Sequence, residues 1–204
     1  MLVKICGITN CEDALAAVAA GASALGFNFF QGSPRFLTPE RAARVIEALP
    51  GGVLKVGIFV NEAVEHIQSL VSELGLDVAQ LYGEPELAPA GVRIWRAVRV
   101  GPGFKPDELI DPAAEAFLLD PAPASVWGGS GLSFDWRIAR GARRKIIIAG
   151  GLDESNVRRA IREARPWGVD ACSRLERAPG LKDHMRMARF IEEALRAAAE
   201  QEAE

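Results

Sequence analysis

A chain of 204 residues contains only two histidines, His66 and His184, and both fall inside helical patterns. Its three cysteines, Cys6, Cys11 and Cys172, form no C-x-x-C pair and no Cys/His cluster. Zinc sites and Ser-His-Asp triads are therefore poorly supplied, with no metal site expected. Acid–base chemistry has to come from carboxylates, lysines, Tyr82 or a thiol. Cys6 and Asp120 stand out because each closes an apolar run, LVKIC and FLLD. Strand side chains alternate, so Lys4 and Cys6 share a face opposite Val3 and Ile5. Most free cysteines are small buried fillers. Beside a cation such as Lys4, the same thiol ionises more readily and becomes reactive. Asp120 either caps its own loop through backbone bonds or, against apolar walls, acquires a raised pKa and serves as a general acid.

Two further segments suit an anion. IIIAGG at 146–151 runs into two glycines and then a helix, and 169–174 ends at Cys172-Ser173-Arg174. Glycine lets a backbone approach a ligand closely, and N–H groups at a helix start bind anions. The plain alternative for Gly150-Gly151 is a tight turn. Arg35, in the polar loop Ser33-Pro34-Arg35, is either a solvated charge or a planar fork for a carboxylate. Residues 128–131, GGSG, do not match G-x-S-x-G and read as a loop that closes over a site.

These residues need a frame. Apolar runs at 2–6, 24–29, 54–60, 78–81, 93–100, 116–119, 145–149 and 169–172 predict eight strands. Helices are expected at 11–20 and 39–49, from an Asn61 cap to 74, and from an Asp153 cap to 164, with a closing helix at 182–199. A short helix after Pro85, a turn at 104–110 and a short helix at 135–140 complete the alternation. Continuous apolar strands alternating with helices imply a parallel sheet with right-handed crossovers. Eight units predict a compact (β/α)8 TIM barrel, some helices reduced, as a single domain over 1–204. An open doubly wound sheet is disfavoured because no G-x-G-x-x-G follows the first strand. A barrel puts function at the C-terminal strand ends, where Cys6, Asn28, Arg35, Gln80, Asp120, Gly150, Gly151 and Ser173 fall.

Composition removes other classes. A net charge of -3 opposes nucleic acid as the main partner. No apolar run reaches about 18 residues, so no membrane span is expected. The first residues, interrupted by Glu12 and Asp13, do not read as a signal peptide, and the expected compartment is the cytoplasm. A core of this size buries roughly 70% of the unfolded surface and needs no disulfide.

KICGIT at 4–9, Glu12-Asp13-Ala14, Gly26-Phe27, Ser33-Pro34-Arg35 and Ala79-Gln80-Leu81 resemble the phosphoribosylanthranilate isomerases of tryptophan biosynthesis. The likeness continues through Asp120, Gly129-Ser130-Gly131-Leu132-Ser133-Phe134-Asp135-Trp136 and Ala149-Gly150-Gly151-Leu152. It ends with Gly168-Val169-Asp170, Ser173, Glu176, Pro179-Gly180 and Lys182-Asp183. The resemblance implies an Amadori rearrangement of a phosphosugar without cofactor or metal. A compact barrel of this size is compatible with a monomer or a homodimer. By the same resemblance, Asp120 is the general acid, Cys6 the general base and Arg35 the ligand of the anthranilate carboxylate. Gly150, Gly151, Ser173 and Arg174 then hold the phosphate, and Gln80 lies in the substrate site. Two positions depart from the pattern. Cys172-Ser173-Arg174 replaces Ser-Ser-Gly, and an arginine forced to positive φ would carry about 1–2 kcal/mol of strain. Tyr82 stands where histidine is usual. A phosphosugar-binding paralogue, non-catalytic or of altered specificity, is the alternative that Arg174 raises.

Overall fold

The computed structural model describes residues 1–83, 89–101, 103–121 and 134–203. The eight expected strands are present: β1 (Leu2–Ile5), β2 (Ala24–Asn28), β3 (Leu54–Val60), β4 (Val78–Tyr82), β5 (Arg93–Arg99), β6 (Ala114–Asp120), β7 (Lys145–Ile148) and β8 (Gly168–Ala171). They pair in chain order, every pair parallel, and β8 returns to β1 to close the barrel. Around them run α1 (Cys11–Ala19), α2 (Pro39–Glu47), α3 (Val64–Leu74), α4 (Val157–Ala164) and α5 (His184–Glu202). Single 3-10 turns at Pro106–Glu108 and Trp136–Ala139 stand in for helices after β5 and β6. This is the compact barrel with reduced helices that the alternation predicts. The expected helix after Pro85 and the loop at 128–131 lie outside the described residues. Among the described residues, no helix is long and apolar enough to cross a membrane.

The pleat sorts the core into two clusters. Leu2, Ala24, Val56, Val78, Trp95, Ala116 and Ile147 fill the barrel, where Trp95 packs edge-on against Trp167 at 5.8 Å. Val3, Ile5, Leu25 and Phe27 face outward, sharing the larger cluster with Phe190 and Ile191 of α5. Lys4 therefore points inward, fully buried, and its Nζ lies 2.8 Å from Asp170 Oδ1 on the neighbouring strand. A charge with no water around it persists only when paired.

Local chemistry sets the helix ends. Asn10, Thr38 and Asp183 each accept a bond from a backbone N–H three residues on, starting α1, α2 and α5. Two expected caps are displaced. Asn61 sits at φ 48 and α3 starts later, after Ala63. Asp153 accepts from the N–H and hydroxyl of Ser155 in a turn of its own, so α4 starts only at Val157. A hairpin of β9 (Glu176–Ala178) and β10 (Leu181–Lys182) follows β8. Its strands are too short to show a period, and the sequence gives no strand signal there.

Gly26 places the first site residue. A Cβ there would lie 2.9 Å from Cys6 Sγ and 3.1 Å from Cys6 Cα. Gly26→Ala should therefore spread β1 from β2, costing about 1–3 kcal/mol in urea unfolding. An unchanged midpoint would show that the strands tolerate the methyl group.

Candidate active site

Every site residue expected from the sequence lines one pocket at the C-terminal strand ends. Cys6, Asn28, Arg35, Gln80, Asp120, Gly150, Gly151, Ser173 and Arg174 all border it. Ser33, Tyr82, Asp170 and Cys172 border it too. Asn28 ends β2, and its side chain accepts from the Phe30 N–H.

Cys6 leaves β1 half-buried in the pocket wall. Its backbone N–H donates to Ala171 O, which sets it beside Cys172 at the end of β8. Hydrogen bonding from Cys172 holds the Cys6 thiol well below its ordinary range. The ammonium charges of Lys4 and Lys182 pull in the same direction, against burial. The counterpart is Cys172, pushed well above the usual thiol value by Cys6 and by burial. Of the two thiols, Cys6 is the one its neighbours favour in the ionised form. Asp170 is pushed up to about 7, chiefly by burial and despite Lys4.

Asp120 ends β6 at 2% exposure. The Tyr82 hydroxyl, from the end of β4, lies 3.3 Å from its Oδ2 and donates to it. Burial and then the Asp120 charge push Tyr82 well above the ordinary phenol range, so it remains a donor. Tyr82 stands in the sequence as one possible source of acid–base chemistry and as a departure from the family pattern, with no tie to Asp120. Its place at the end of a strand, two residues past Gln80 on the same face, is the signal that would have found it.

Arg35 is held on several sides. Ser33 Oγ accepts the Arg35 N–H, and Gly7, at φ +71, leaves room for its side chain. A Cβ on Gly7 would come within 2.5 Å of Arg35 Cδ. Glu176, from β9, takes Nε at 2.9 Å and Nη2 at 2.6 Å. Lys182 Nζ, from β10, meets the same carboxylate at 2.9 Å. Despite burial, Arg35 and Lys182 hold Glu176 below its usual range. A ligand carboxylate would thus meet a guanidinium already fixed in place. Glu176 and Lys182 carry no chemical signal of their own in the sequence, because the hairpin that presents them is invisible there.

On the opposite rim, Gly150 and Gly151 have φ of 79 and 63, a conformation that strains a side chain. Asn156 clasps this loop, its amide donating to Gly151 O. Across from it a 3-10 turn, Ser173–Leu175, opens into the pocket. The first N–H groups of such a turn have no acceptor within it. Arg174 belongs to that turn and is not among the residues at positive φ, so the strain that a glycine position would impose does not arise. Asp153 Oδ2 holds its guanidinium at 3.0 Å. Gln80 is fully buried, and neither of its amide atoms has a hydrogen-bond partner.

A closed ring of eight parallel strands, with a carboxyl, a thiol and two glycine- or turn-built loops round one pocket at its C-terminal end, defines a (β/α)8 barrel of the kind that carries enzymes. The model of N-(5'-phosphoribosyl)anthranilate (PRA) isomerase matches residues 3–193. An N-(5'-phosphoribosyl)anthranilate isomerase of Solibacter usitatus is 48% identical over 196 residues, 95% of this chain and 97% of its own. The crystal structure of phosphoribosyl anthranilate isomerase from Thermotoga maritima superposes with a TM-score of 0.84 at 39% identity, covering 96% of this chain and 99% of that one. Another, in complex with reduced 1-(o-carboxyphenylamino)-1-deoxyribulose 5-phosphate, gives 0.82 at 36% identity, covering 96% and 98%. The chain belongs to the N-(5'-phosphoribosyl)anthranilate isomerase family.

Two measurements follow from this geometry. Removing the unpaired amide in Gln80→Met should stabilise the ligand-free protein by about 1–3 kcal/mol while weakening substrate binding. A loss of stability would show that the amide is already satisfied within the fold. Alkylation at Cys6, followed by iodoacetamide and peptide mapping, should titrate below the ~8.5 of a free thiol. A midpoint at or above that value would remove the thiolate.

Proposed function

We propose that Cys6 and Asp120 are the base and the acid of an Amadori rearrangement. It converts N-(5'-phosphoribosyl)anthranilate to 1-(2-carboxyphenylamino)-1-deoxyribulose 5-phosphate in tryptophan biosynthesis. The observation that carries the reading is a low-pKa thiol and a Tyr82-held carboxyl lining one pocket together with a fixed arginine and two backbone loops.

Asp120, in protonated form, gives its proton to the furanose ring oxygen, and the ring opens to a Schiff base. Tyr82 donates to Oδ2 of this carboxyl and holds it in place at the pocket. The same hydrogen bond stabilises the carboxylate left behind. The Cys6 thiolate then takes the proton from C2′, giving an enolamine that tautomerises to the ketone. Arg35 orients the anthranilate carboxylate through its planar fork. Gly150, Gly151 and Ser173 offer backbone N–H groups to the phosphate, and Arg174 adds a charge tethered by Asp153. Gln80 supplies an amide to the sugar between them. The relative crystallised with a reduced carboxyphenylamino-deoxyribulose phosphate carries the same three chemical groups in its ligand, a carboxylate, a polyol chain and a phosphate.

The test uses substrate generated in situ and its fluorescence change. Cys6→Ala and Asp120→Asn should each lower kcat by about 10²–10⁴-fold while the far-UV spectrum stays native. Near-wild-type turnover in either variant would remove that residue from the mechanism.

A further inference from the structure

Cys172 is a second thiol in the pocket that the mechanism does not use. We propose that Cys6 and Cys172 form an oxidation site, which peroxide converts to an intramolecular disulfide that switches the enzyme off reversibly. The inference rests on the reading of Cys6 as the base only for the loss of activity, not for the chemistry of the pair.

Register brings the two together. Ile5 pairs with Ala171, so the next residues on the two strands are Cys6 and Cys172. Neighbouring strands lie about 4.8 Å apart. That is within the ~4.4–6.8 Å between Cα atoms that a disulfide spans. Both side chains border the same pocket, and both are half-buried, so a small oxidant reaches them from the mouth. The ammonium groups of Lys4 and Lys182 favour the ionised form of Cys6, the form that reacts with peroxide. Lys182 Nζ, 3.9 Å from Cys172 Sγ, favours loss of the Cys172 proton in the second step. The third thiol is differently placed. Cys11, on α1, is directed to Arg44 O at 3.7 Å and does not border the pocket.

The chemistry balances. The Cys6 thiolate attacks one oxygen of hydrogen peroxide and the O–O bond breaks. Cys6 becomes a sulfenic acid, and the released hydroxide takes a proton to leave as water. The Cys172 sulfur then attacks the sulfenic sulfur. An S–S bond forms, and the sulfenic hydroxyl departs as a second water with the Cys172 proton. Two thiols together lose two electrons and two protons, and peroxide is reduced to two waters. The product has no thiolate at the mouth, and a dithiol restores it by exchange. Without a resolving partner, sulfenic acid proceeds to sulfinic acid, which a dithiol does not reduce.

The experiment treats the full chain with hydrogen peroxide, blocks free thiols with iodoacetamide and maps peptides without reduction, with activity followed in parallel. The wild type should yield a Cys6–Cys172 cross-linked peptide, lose activity by about 10²-fold and recover it with dithiothreitol. Cys11→Ser should behave identically. Cys172→Ser, compared with its own untreated activity, should give no cross-link, and its inactivation should resist dithiothreitol. Cys6 recovered as sulfinic acid while Cys172 still alkylates would overturn the site, as would a cross-link to Cys11. A Cys6–Cys172 disulfide with activity retained would overturn the switch, and would also count against Cys6 as the base. If Cys6→Ala is active yet the wild type cross-links, the oxidation site stands and the assignment of the base fails.

Discussion

The buried pair of Lys4 and Asp170 is the contact on which the rest depends. It lies inside the barrel at the seam where the last strand meets the first, 166 residues apart in sequence. It is costly to build, because two charges leave water, and one partner without the other is costlier still. Its return is positional. The ammonium group sits one turn of the pleat below Cys6 and helps to keep the thiol ionised at the site of chemistry. Structural closure and chemical reactivity thus draw on the same cation.

A second group of charges fixes the rim. Arg35 from the loop after β2, and Glu176 and Lys182 from the hairpin after β8, form a short ionic chain over the first and second strands. The central carboxylate is 3% exposed, so salt in the medium screens this chain little. Arg35 is thereby set in one orientation before any ligand arrives, and less entropy is lost on binding. Opposite it, the rim is built mainly from backbone: two glycines at positive φ and the start of a 3-10 turn.

The parts of this design that were legible in the sequence are those with a period. Apolar runs such as LVKIC and FLLD mark the strands, and alternation alone puts Lys4 and Cys6 on one shared face. The barrel followed from counting eight units, and the mouth from the residues that end them. What escaped has no period. The hairpin has strands of three and two residues. The starts of α3 and α4 depended on whether Asn61 and Asp153 would cap or turn, and Asn61 sits at φ 48 while Asp153 turns onto Ser155. The Tyr82–Asp120 bond joins residues 38 apart on non-adjacent strands, a pairing that only the closed ring creates.

The ring has one more consequence. β1 and β8 are neighbours, and α5 packs on both α1 and β1. Asp13 on α1 accepts the Lys182 N–H and meets His184 at 2.7 Å, so the chain's beginning and end are tied by polar bonds as well as by Phe190 and Ile191. Because β1 starts and α5 finishes on the face away from the pocket, both termini lie at the bottom of the barrel. The order in which the eight units are strung is then separable from their order around the ring. A chain cut between two other units and spliced end to start would retain the same neighbours, and its splice would lie on the face away from the pocket.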